Sequence, residues 1–449
     1  MNRRRSDSRR NRAGKLPRNA APIELTISHV GGRGDGVGRA PYKHNHITDE
    51  HSVFVPAALA GEQIVATPVA INGQGIRAVL HEIITPSPER REPDCDAFPA
   101  CGGCSFQHWQ DEAVMDWKQN LVTGFLARAG ISCPKITPPH VVPRYTRRRA
   151  TFHLKRLARG VAAGFLERGS DRIITPQDCS ILDPALITLL AHLSELVDSR
   201  FPVGVSINAQ ANMLDNGICL FLSGPDKWHD RILEDLAGWA ADRSLARLSV
   251  AEGDGKPLTL LAPAPPVIRR GAIAVTPPPG AFLQATTDAE AALQQAVARI
   301  VSGALRVTDL FAGCGTLGLP LLKGLSRLTA VESDIAALAA MKAAVDAAGL
   351  GAHLDCIEAD LMRAPLTSAM FEDVEAVIMD PPRAGASAQC EILATTAVPC
   401  IAMVSCNPAS FARDAAILVA GGYQLTSLQV IDQFRFSSHV EIVAGLVRG

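Results

Sequence analysis

The sequence lacks two features that would assign it to a membrane class or to a strongly charged binding class. No uninterrupted apolar segment approaches the roughly 20 residues that a transmembrane helix needs. The 44 lysines and arginines almost balance the 45 aspartates and glutamates. Binding to a polyanion would therefore depend on local basic patches. With 47% apolar residues, the 449-residue chain is globular in composition. Its length is typical of about three domains.

The N-terminus also lacks the apolar segment of a secretory signal. We therefore expect a cytoplasmic protein without membrane association. Residues 1–21 contain many basic and almost no apolar residues, which predicts a disordered tail. Such a tail could be merely solvated or could bind RNA without sequence preference. Its basic residues are Arg3, Arg4, Arg5, Arg9, Arg10, Arg12, Lys15 and Arg18.

Residues 22–84 have the pattern of a small β-domain. Ile23, Leu25 and Ile27 alternate with polar residues, as in a half-buried strand, and a glycine-rich turn over residues 31–38 follows. Short strands separated by glycine turns predict a small β-barrel, an architecture that RNA binders of the OB type also use. The other predicted domains are a middle domain, 85–275, and a third domain, 276–449.

The eleven cysteines do not suggest a disulfide framework, because an odd number in a long chain without a signal favours metal ligands or catalytic thiols. Cys95, Cys101 and Cys104 have the spacing C-x5-C-x2-C, and Cys179 is the candidate for a fourth ligand. Four thiolates suit zinc or an iron–sulfur cluster, and the spacing alone does not separate the two. The alternative is a set of unrelated buried thiols.

A second basic segment lies in the predicted middle domain. Residues 144–149 have the sequence Arg-Tyr-Thr-Arg-Arg-Arg, and His153, Lys155 and Arg156 follow. On a strand, these charges could contact RNA phosphates or could form a solvated face.

From about residue 281, predicted strands and helices alternate, which indicates a mostly parallel sheet covered by helices. Gly313, Gly315 and Gly318 form the pattern G-x-G-x-x-G between a strand and a helix. Backbone without side chains can approach a nucleotide-like ligand there. Glu332 ends the next strand, where it could accept hydrogen bonds from ribose hydroxyls. These features would also fit NAD.

Two further acidic positions help to distinguish the ligand. Asp360 follows the third predicted strand, where it could reach an adenine amine. Asp380 begins the segment Asp-Pro-Pro-Arg after the fourth strand, and the two prolines stiffen that loop. Loops at the carboxyl ends of parallel strands face the ligand crevice. This set of acids favours S-adenosylmethionine over NAD.

Cys406 lies between a predicted buried strand, Cys400–Val404, and a predicted helix, Pro408–Val419. Asn407 is expected to cap that helix. Unpaired backbone N–H groups at a helix N-terminus stabilise a thiolate, so we expect a lowered pKa for Cys406 and a role as nucleophile. A small, buried, unreactive cysteine is the alternative.

The last predicted elements are two strands, Gln424–Val430 and Ile442–Val447, which form an antiparallel end of the sheet. His439 and Glu441 lie at the start of the last strand, on one face by the two-residue period of a strand. One of them could be a general base, although an exposed His and Glu at a strand start need have no role.

The motifs described above, in the order in which they occur from about residue 22 to residue 449, resemble those of the RNA uracil-C5 methyltransferases. The chain is most similar to the 23S ribosomal RNA branch, which has a TRAM barrel and a 4Fe–4S cluster. The resemblance implies an α/β fold, with a Rossmann-like class I S-adenosylmethionine methyltransferase domain preceded by a TRAM/OB-like barrel and an α+β middle domain. It also implies a monomer whose partner is 23S ribosomal RNA.

The resemblance further implies residue roles. Cys406 would be the nucleophile that adds to carbon 6 of uridine, and Glu441 the base that removes the proton from carbon 5 after methyl transfer. The implied cluster ligands are Cys95, Cys101, Cys104 and Cys179. The implied contacts to S-adenosylmethionine are Gln284, Phe311, Thr316, Glu332, Asp360 and Asp380.

Two segments depart from the family pattern. Arg435 and Ser437 stand where family members usually have proline and threonine, and Thr316 stands where they usually have asparagine. The nucleophile, the base and the cluster cysteines are all present, so activity is expected. A transfer RNA uracil methyltransferase and a non-catalytic RNA-binding module are the alternatives.

Overall fold

The computed structural model describes residues 14–16, 20–44, 47–197, 201–253 and 255–449. They form two units. The first comprises the described residues up to Trp117 with Phe436–Ser438, and the second comprises Lys118–Arg435 with His439–Gly449. Most of the predicted disordered tail lies outside the described residues. Within that tail, Gly14–Lys15 form a short strand that pairs with Ile71 and Ala70.

Strands outnumber helices along the described ranges. The strands are β1 (Gly14–Lys15), β2 (Ile23–Val30), β3 (Asp35–His44), β4 (Ile47–Pro56), β5 (Gln63–Asn72), β6 (Gly75–Thr85), β7 (Ile136–Val141), β8 (Arg149–Arg156), β9 (Val161–Leu166), β10 (Ile173–Ile174), β11 (Ser206–Leu214), β12 (Gly217–Ser223), β13 (Arg247–Ala251), β14 (Leu258–Leu261), β15 (Ile268–Arg270), β16 (Ile273–Val275), β17 (Arg306–Leu310), β18 (Arg327–Glu332), β19 (Leu354–Glu358), β20 (Ala376–Met379), β21 (Cys400–Ser405), β22 (Tyr423–Asp432) and β23 (Glu441–Arg448). The α-helices are α1 (Asp111–Arg128), α2 (Pro184–His192), α3 (Asp230–Asp242), α4 (Thr287–Ile300), α5 (Ile335–Ala347), α6 (Ser387–Ala394) and α7 (Pro408–Ala420). Short 3₁₀ helices span Leu193–Leu196, Leu319–Gly324, Gly351–His353 and Ser368–Phe371. Within the described ranges, none of the helices has the length and apolar character that a membrane span requires.

Five strands of the first unit close into a barrel. The order is β5-β2-β3-β4-β6, and β6 pairs again with β5, while β1 adds to the outer edge of β5. In β2, Leu25 and Ile27 are buried and the residues beside them are more exposed, as in a strand with one face toward a core. Gly38 has to be glycine, because a Cβ atom there would lie 2.6 Å from the Thr26 carbonyl oxygen. The predicted small β-barrel is confirmed.

A seven-stranded sheet follows in the second unit, in the order β10-β9-β8-β11-β12-β13-β14. Its neighbours are antiparallel except for the parallel pair β12 and β13. One face is covered by α2 and α3, whose Leu186, Leu189 and Leu236 pack in a core with Phe152 and Leu154 of β8. This sheet and its helices form the α+β middle region that the sequence predicted.

An eight-stranded sheet completes the second unit, in the order β19-β18-β17-β20-β21-β23-β22-β7. The strands from β17 to β21 are parallel, and β23 is antiparallel to β21 and β22. The predicted Rossmann-like sheet with an antiparallel end is confirmed. At its last edge, β7 pairs in parallel with β22, although β7 precedes the seven-stranded sheet in the chain.

Helix α5, which packs on this sheet, begins at a capping residue. Asp334 Oδ1 accepts hydrogen bonds from the N–H groups of Ala336 at 2.9 Å and Ala337 at 3.2 Å, and this cap begins α5. Met341 and Val345 of α5 are fully buried in the core of the sheet. Capping and an apolar stripe together explain why this alanine-rich segment is helical.

Candidate active site

Cys406 and Glu441 lie opposite each other at one end of the eight-stranded sheet. Cys406 directly follows β21, and Glu441 is the first residue of β23. These two strands are neighbours, and Ser405 pairs with Ile442. The antiparallel register therefore puts Cys406 across from Glu441.

Helix α7 begins immediately after Cys406. Asn407 Oδ1 accepts a hydrogen bond from the Ala409 N–H at 3.1 Å, and Pro408 is the first helical residue. The Asn407 side-chain amide also donates to the carbonyl oxygen of Arg383 at 2.9 Å. The predicted cap is confirmed, and the same side chain holds the loop that begins at Asp380.

The predicted lowering of the Cys406 pKa is wrong. The pKa of the thiol is raised to about 11, first by burial and then by the negative charges of Glu441 and Asp380, while Arg383 opposes the rise. Helix N–H groups follow the cysteine in the sequence, but the convergence of two carboxylates on the thiol depends on the fold. With this pKa the thiol of Cys406 is protonated near neutral pH unless the charge or hydration around it changes.

Glu441 is 4% exposed, and its pKa is raised to about 8. Burial is the main cause, and Asp380 adds to it, while a hydrogen bond from Gln433 and the charge of Arg149 oppose it. A carboxyl group that titrates near pH 8 can accept and release a proton under ordinary conditions, as a general base must. His439, the other residue considered for this role, is exposed.

Hydrogen bonds link Glu441 to two of the predicted cofactor residues. Gln433 Nε2 donates to Glu441 Oε2 at 2.6 Å and to Gln284 Oε1 at 2.8 Å. Gln284 Nε2 in turn donates to Asp380 Oδ2 at 3.4 Å. The pKa of Asp380 is raised to about 6 by burial, which the Gln284 bond opposes. Cys406, Glu441, Gln284 and Asp380 therefore form one cluster.

The loop after β17 contains three residues with positive φ angles. Gly313 and Gly315 have φ angles of +54° and +75°, and Phe311 has a φ of +61°, which is rare for an aromatic residue. Gly318 has to be glycine for a steric reason, because a Cβ atom there would lie 2.6 Å from Asp309 Oδ2. The predicted helix after this loop is a 3₁₀ helix rather than an α-helix.

The remaining predicted cofactor residues lie at the same edge of the sheet. Glu332 ends β18, and its Oε2 accepts a hydrogen bond from the Gly313 N–H at 2.9 Å. Asp360 follows β19, is exposed, and forms an ion pair with Arg363 at 3.3 Å. Thr316 lies in the glycine loop, where its carbonyl accepts from Gln294 at 2.9 Å. The carboxyl ends of parallel strands thus bring these predicted residues together, at the edge where such sheets bind ligands.

Asp309, at the end of β17, is a buried acid whose protonation the sequence could not indicate. It is 2% exposed, and its Oδ2 accepts a hydrogen bond from the Gly318 N–H at 3.0 Å. Burial raises the pKa of Asp309 to about 8, and the charges of Asp380 and Glu332 add to the effect. Asp309 therefore carries a proton near neutral pH in this arrangement.

Arg148 does not belong to a phosphate-binding face, contrary to one interpretation of the basic segment. It is buried and forms an ion triad with Glu290 and Arg270. Its Nε donates to the Gln284 carbonyl at 3.1 Å, and its backbone N–H donates to the Ala285 carbonyl at 2.9 Å. Arg148 therefore fixes the backbone that presents Gln284.

Arg149 lies close enough to Glu441 for their charges to interact. Its guanidinium carbon is 4.3 Å from the centroid of the Phe282 ring, and that ring is 61% exposed. Burial and the neighbouring arginines lower the pKa of Arg149 to about 10, and the charge of Glu441 opposes them. An exposed aromatic ring backed by a cation is a surface on which a base can stack.

The four cysteines predicted to hold a cluster are buried, each at most 9% exposed. Three of them belong to the first unit, and Cys179 belongs to the second. Gln107 Nε2 donates to Cys104 Sγ at 3.3 Å, and the Gly103 N–H donates to Cys101 Sγ at 3.5 Å. Across the described ranges, no group of three or more His, Cys, Asp or Glu side chains is placed to hold a single metal ion. The cluster remains a prediction.

Sequence reasoning missed a buried ion pair that supports the site. Lys118 is fully buried, and its Nζ donates to Asp432 Oδ1 at 2.6 Å and to the Phe434 carbonyl at 3.3 Å. Burial lowers the pKa of Lys118, and Asp432 opposes that effect. The pair fixes the end of β22 and the residues on both sides of Gln433. No local pattern could have indicated it, because the partners are far apart in the chain.

Comparison with known proteins identifies the family of this chain. The family model for tRNA (uracil-5-)-methyltransferases matches residues 279–448. An uncharacterized RNA methyltransferase of Brucella suis biovar 1 is 37% identical over 426 residues, which cover 95% of this chain and 98% of that protein. The 23S rRNA (uracil(1939)-C(5))-methyltransferase RlmD of Chromohalobacter salexigens is 32% identical over 462 residues, which cover 98% of this chain and 92% of that one.

A solved structure has the same fold along almost the whole chain. It is the Pyrococcus abyssi tRNA (uracil-54, C5)-methyltransferase in complex with S-adenosyl-L-homocysteine, with a TM-score of 0.72 and 19% sequence identity. The match covers 94% of this chain and 99% of that one. Full-length relatives and the architecture thus agree: the chain belongs to the RNA uracil-C5 methyltransferases and is an S-adenosylmethionine-dependent RNA (uracil-C5)-methyltransferase.

Proposed function

We propose that this protein methylates carbon 5 of a uridine in 23S ribosomal RNA through a covalent adduct between Cys406 and the base. The observation that supports the proposal most directly is the placement of Cys406 opposite Glu441, with Gln284 and Asp380 linked to Glu441 through Gln433. The relative from Chromohalobacter salexigens, named for 23S rRNA, matches nearly the full chain and supports that substrate.

A transfer RNA uridine is the second candidate. The solved structure with the same fold is named for a transfer RNA substrate, and its match covers 94% of this chain. A match of that extent includes the N-terminal barrel, so the barrel by itself does not separate the two substrates.

The chemistry assigns separate tasks to Cys406 and Glu441. Carbon 5 of uracil becomes nucleophilic only after a thiolate adds to carbon 6, and Cys406 supplies that thiolate. Carbon 5 then takes the methyl group from the sulfonium of S-adenosylmethionine. Glu441 removes the remaining proton from carbon 5, and the carbon–sulfur bond to Cys406 breaks to restore the double bond. The adduct thus forms and breaks without net change to the protein.

Six residues would hold the methyl donor. Carboxylates suit the hydroxyls, the amine and the positive sulfonium of this ligand, and the strained glycine loop leaves room for a nucleotide. The proposed residues are Gln284, Phe311, Thr316, Glu332, Asp360 and Asp380.

The target base has to leave its stack before Cys406 can reach carbon 6. Phe282 and Arg149 offer a stacking surface beside Glu441. We assign general RNA contact to the barrel of residues 22–84, as a TRAM domain, and methyl transfer to residues 276–449. We also propose that the enzyme acts as a monomer in the cytoplasm, where ribosomal RNA is modified.

We further propose that Cys95, Cys101, Cys104 and Cys179 hold a 4Fe–4S cluster in the region of residues 85–275. Burial of all four thiols and N–H donors to two sulfurs support this assignment, because cluster thiolates are buried and accept such hydrogen bonds. The test is iron and acid-labile sulfide analysis of protein purified without oxygen. We expect both elements in the wild type and their loss in Cys101→Ser. A colourless wild-type protein that contains zinc would contradict the cluster.

Replacement of Cys406 by alanine tests the nucleophile. We expect methylation of ribosomal RNA to fall by at least about 10⁴-fold, because carbon 5 is not activated without the thiolate. No covalent protein–RNA complex should form on denaturing gels. Cys133→Ala, which removes an exposed cysteine, is the control and should retain full activity. Methylation at the wild-type rate by Cys406→Ala would refute the mechanism.

Replacement of Glu441 by glutamine separates the two halves of the reaction. The adduct should still form and accept the methyl group, but its breakdown should slow by about 10²-fold or more, since the proton acceptor is missing. Covalent protein–RNA complex should therefore accumulate.

Mapping 5-methyluridine in ribosomal and transfer RNA from a strain without the protein identifies the substrate RNA.

A further inference from the structure

The side-chain amide of Gln433 uses both of its N–H donors and its oxygen in hydrogen bonds inside the protein. Nε2 donates to Glu441 and to Gln284, and Oε1 accepts from the backbone N–H of Ala285 at 2.9 Å. Gln433 is 2% exposed. Neither the attack by Cys406 nor the proton transfer to Glu441 assigns a task to this residue.

The orientation of two amides follows from a single backbone group. A backbone N–H can only donate, so the Ala285 N–H requires that the oxygen of Gln433 faces it. The NH₂ group of Gln433 must then face Gln284 and Glu441. Because that NH₂ group also can only donate, Gln284 presents its oxygen to Gln433 and its own NH₂ group to Asp380. The two amides thus donate to a carboxyl group at each end: Gln433 donates to Glu441, and Gln284 donates to Asp380.

The direction of the hydrogen bond from Gln433 to Glu441 favours the ionised form of Glu441. A donor that points at a carboxylate stabilises the charged form, whereas burial disfavours it. Asp432 and Phe434, the neighbours of Gln433, are both held by Lys118. Arg435 Nη1 donates to the Val142 carbonyl at 2.8 Å. The backbone on both sides of Gln433 is therefore fixed, so its amide is held in one place.

We propose that Gln433 is a positioning residue that keeps Glu441 available as the proton acceptor and orients the Gln284 amide toward the methyl-donor side of the site. This inference rests on the proposed function, since it takes Glu441 as the base. Gln433 itself contacts no reacting atom. It connects the proton-accepting side and the donor-binding side through one side chain.

The test compares Gln433→Met with Gln429→Met. Methionine keeps the size of the side chain and removes its donors and acceptor. Gln429 lies on β22, and its amide donates to the Pro138 carbonyl at 3.0 Å, away from the cluster around Glu441. The readout is the release of tritium from carbon 5 of labelled uridine in RNA under single-turnover conditions. Affinity for S-adenosylhomocysteine, measured by calorimetry, is the second readout.

We expect tritium release by Gln433→Met to be slower by roughly tenfold near pH 7, because fewer Glu441 side chains are ionised without the donor. The rate should recover toward the wild-type value at about pH 9, where Glu441 ionises unaided. Affinity for S-adenosylhomocysteine should fall by roughly threefold or more, since Gln284 loses its fixed orientation. A purely structural role would lower the rate equally at every pH.

Each outcome decides between supporting and overturning the inference. If Gln433→Met and Gln429→Met have the same pH profile and the same affinity, the inference is overturned. If Gln433→Met does not fold, Gln433→Glu keeps the shape but puts a second carboxyl group beside Glu441. The rate should then fall near pH 7 and recover only above pH 9, because two facing carboxyl groups share a proton; an unchanged profile again overturns the inference. If the wild type forms no adduct, the proposed function fails separately, and the loss of S-adenosylhomocysteine affinity still decides whether Gln433 orients Gln284.

Discussion

Arg383 is the cation that opposes the raised pKa of Cys406. Its backbone carbonyl is also held by Asn407 at 2.9 Å and by the Ser410 hydroxyl at 3.1 Å. The loop after β20 is therefore fixed next to the thiol, where the positive charge of Arg383 opposes the negative charges of Glu441 and Asp380. The charge of this one residue should influence how readily the nucleophile forms.

Replacement of Arg383 by glutamine should raise the pKa of Cys406 further, because the favourable positive charge is lost while the carboxylates remain. The rate of alkylation of Cys406 by iodoacetamide at a given pH should fall by roughly threefold, as for a pKa change of about half a unit. Mass spectrometry of the peptide that contains Cys406 gives this rate against pH. Arg383→Lys, which keeps the charge, should stay close to the wild type. An identical profile for Arg383→Gln would show that this cation does not act on the thiol.

At the residue level, sequence reasoning located the residues that obey local rules. Asn407 was predicted as a cap because an Asn before a proline is a local signal, and the structure confirms it. The pKa of Cys406 was predicted in the wrong direction, because its causes are carboxyl groups from other strands. Gln433 was missed for the same reason: its partners Gln284 and Ala285 lie far away in the chain.

Helix α7 and the loop after β20 depend on each other through Asn407. Loss of this side chain removes both the cap of the helix and the bond to the Arg383 carbonyl. Helix α2 offers a matched case, since Asp183 caps it, the Asp183 carboxylate accepts from the Ala185 N–H at 2.9 Å, and a proline follows.

Asn407→Ala should destabilise the protein by about 1 kcal/mol, the usual cost of a lost cap, and should also slow methylation. Asp183→Ala should cost a similar amount of stability and leave the rate unchanged, because α2 packs on the seven-stranded sheet. Urea unfolding and single-turnover methylation provide the two measurements. Equal rates for the two variants would indicate that the Asn407 contact with the loop does not matter for catalysis.

The elements of the third predicted domain were predicted well, because strands and helices alternate there with clear caps and buried apolar runs. The predicted helix Pro408–Val419 is observed as Pro408–Ala420, and the predicted strand Cys400–Val404 as Cys400–Ser405. The helix expected after the glycine loop is a 3₁₀ helix that has Pro320 near its start. Proline cannot donate a backbone hydrogen bond, and local sequence rules do not separate the two helix types over so few residues.

Over the whole molecule, the buried acids make stability depend on pH. Asp309 keeps its proton in the folded state up to about pH 8, whereas in the unfolded chain it would lose it near its ordinary value of 3.8. Between these values the unfolded state binds fewer protons than the folded state. The free energy of unfolding should therefore fall as pH rises through this window.

Asp309→Asn removes this dependence, because asparagine cannot ionise. Relative to the wild type, the variant should gain on the order of 1 to 3 kcal/mol in free energy of unfolding between about pH 5 and pH 8.5. Urea unfolding at several pH values is the measurement. Asp355→Asn is the control: pairing with Arg327 lowers the pKa of Asp355 below its ordinary value of 3.8, so its effect on stability should not change between pH 5 and pH 8.5. A wild type and an Asp309→Asn variant with parallel pH curves would contradict the assignment of a protonated Asp309.

The pairing of β7 with β22 limits how this gene can be divided. A fragment that begins at residue 276 would contain all the strands of the eight-stranded sheet except β7. Without β7, the edge of β22 would have unpaired backbone groups. Such edges invite association with other chains. The eight-stranded sheet therefore cannot be separated from the preceding part of the chain without losing a strand. Recombination between relatives can exchange the complete sheet only if the exchanged segment begins at or before Ile136, and such a segment includes the seven-stranded sheet.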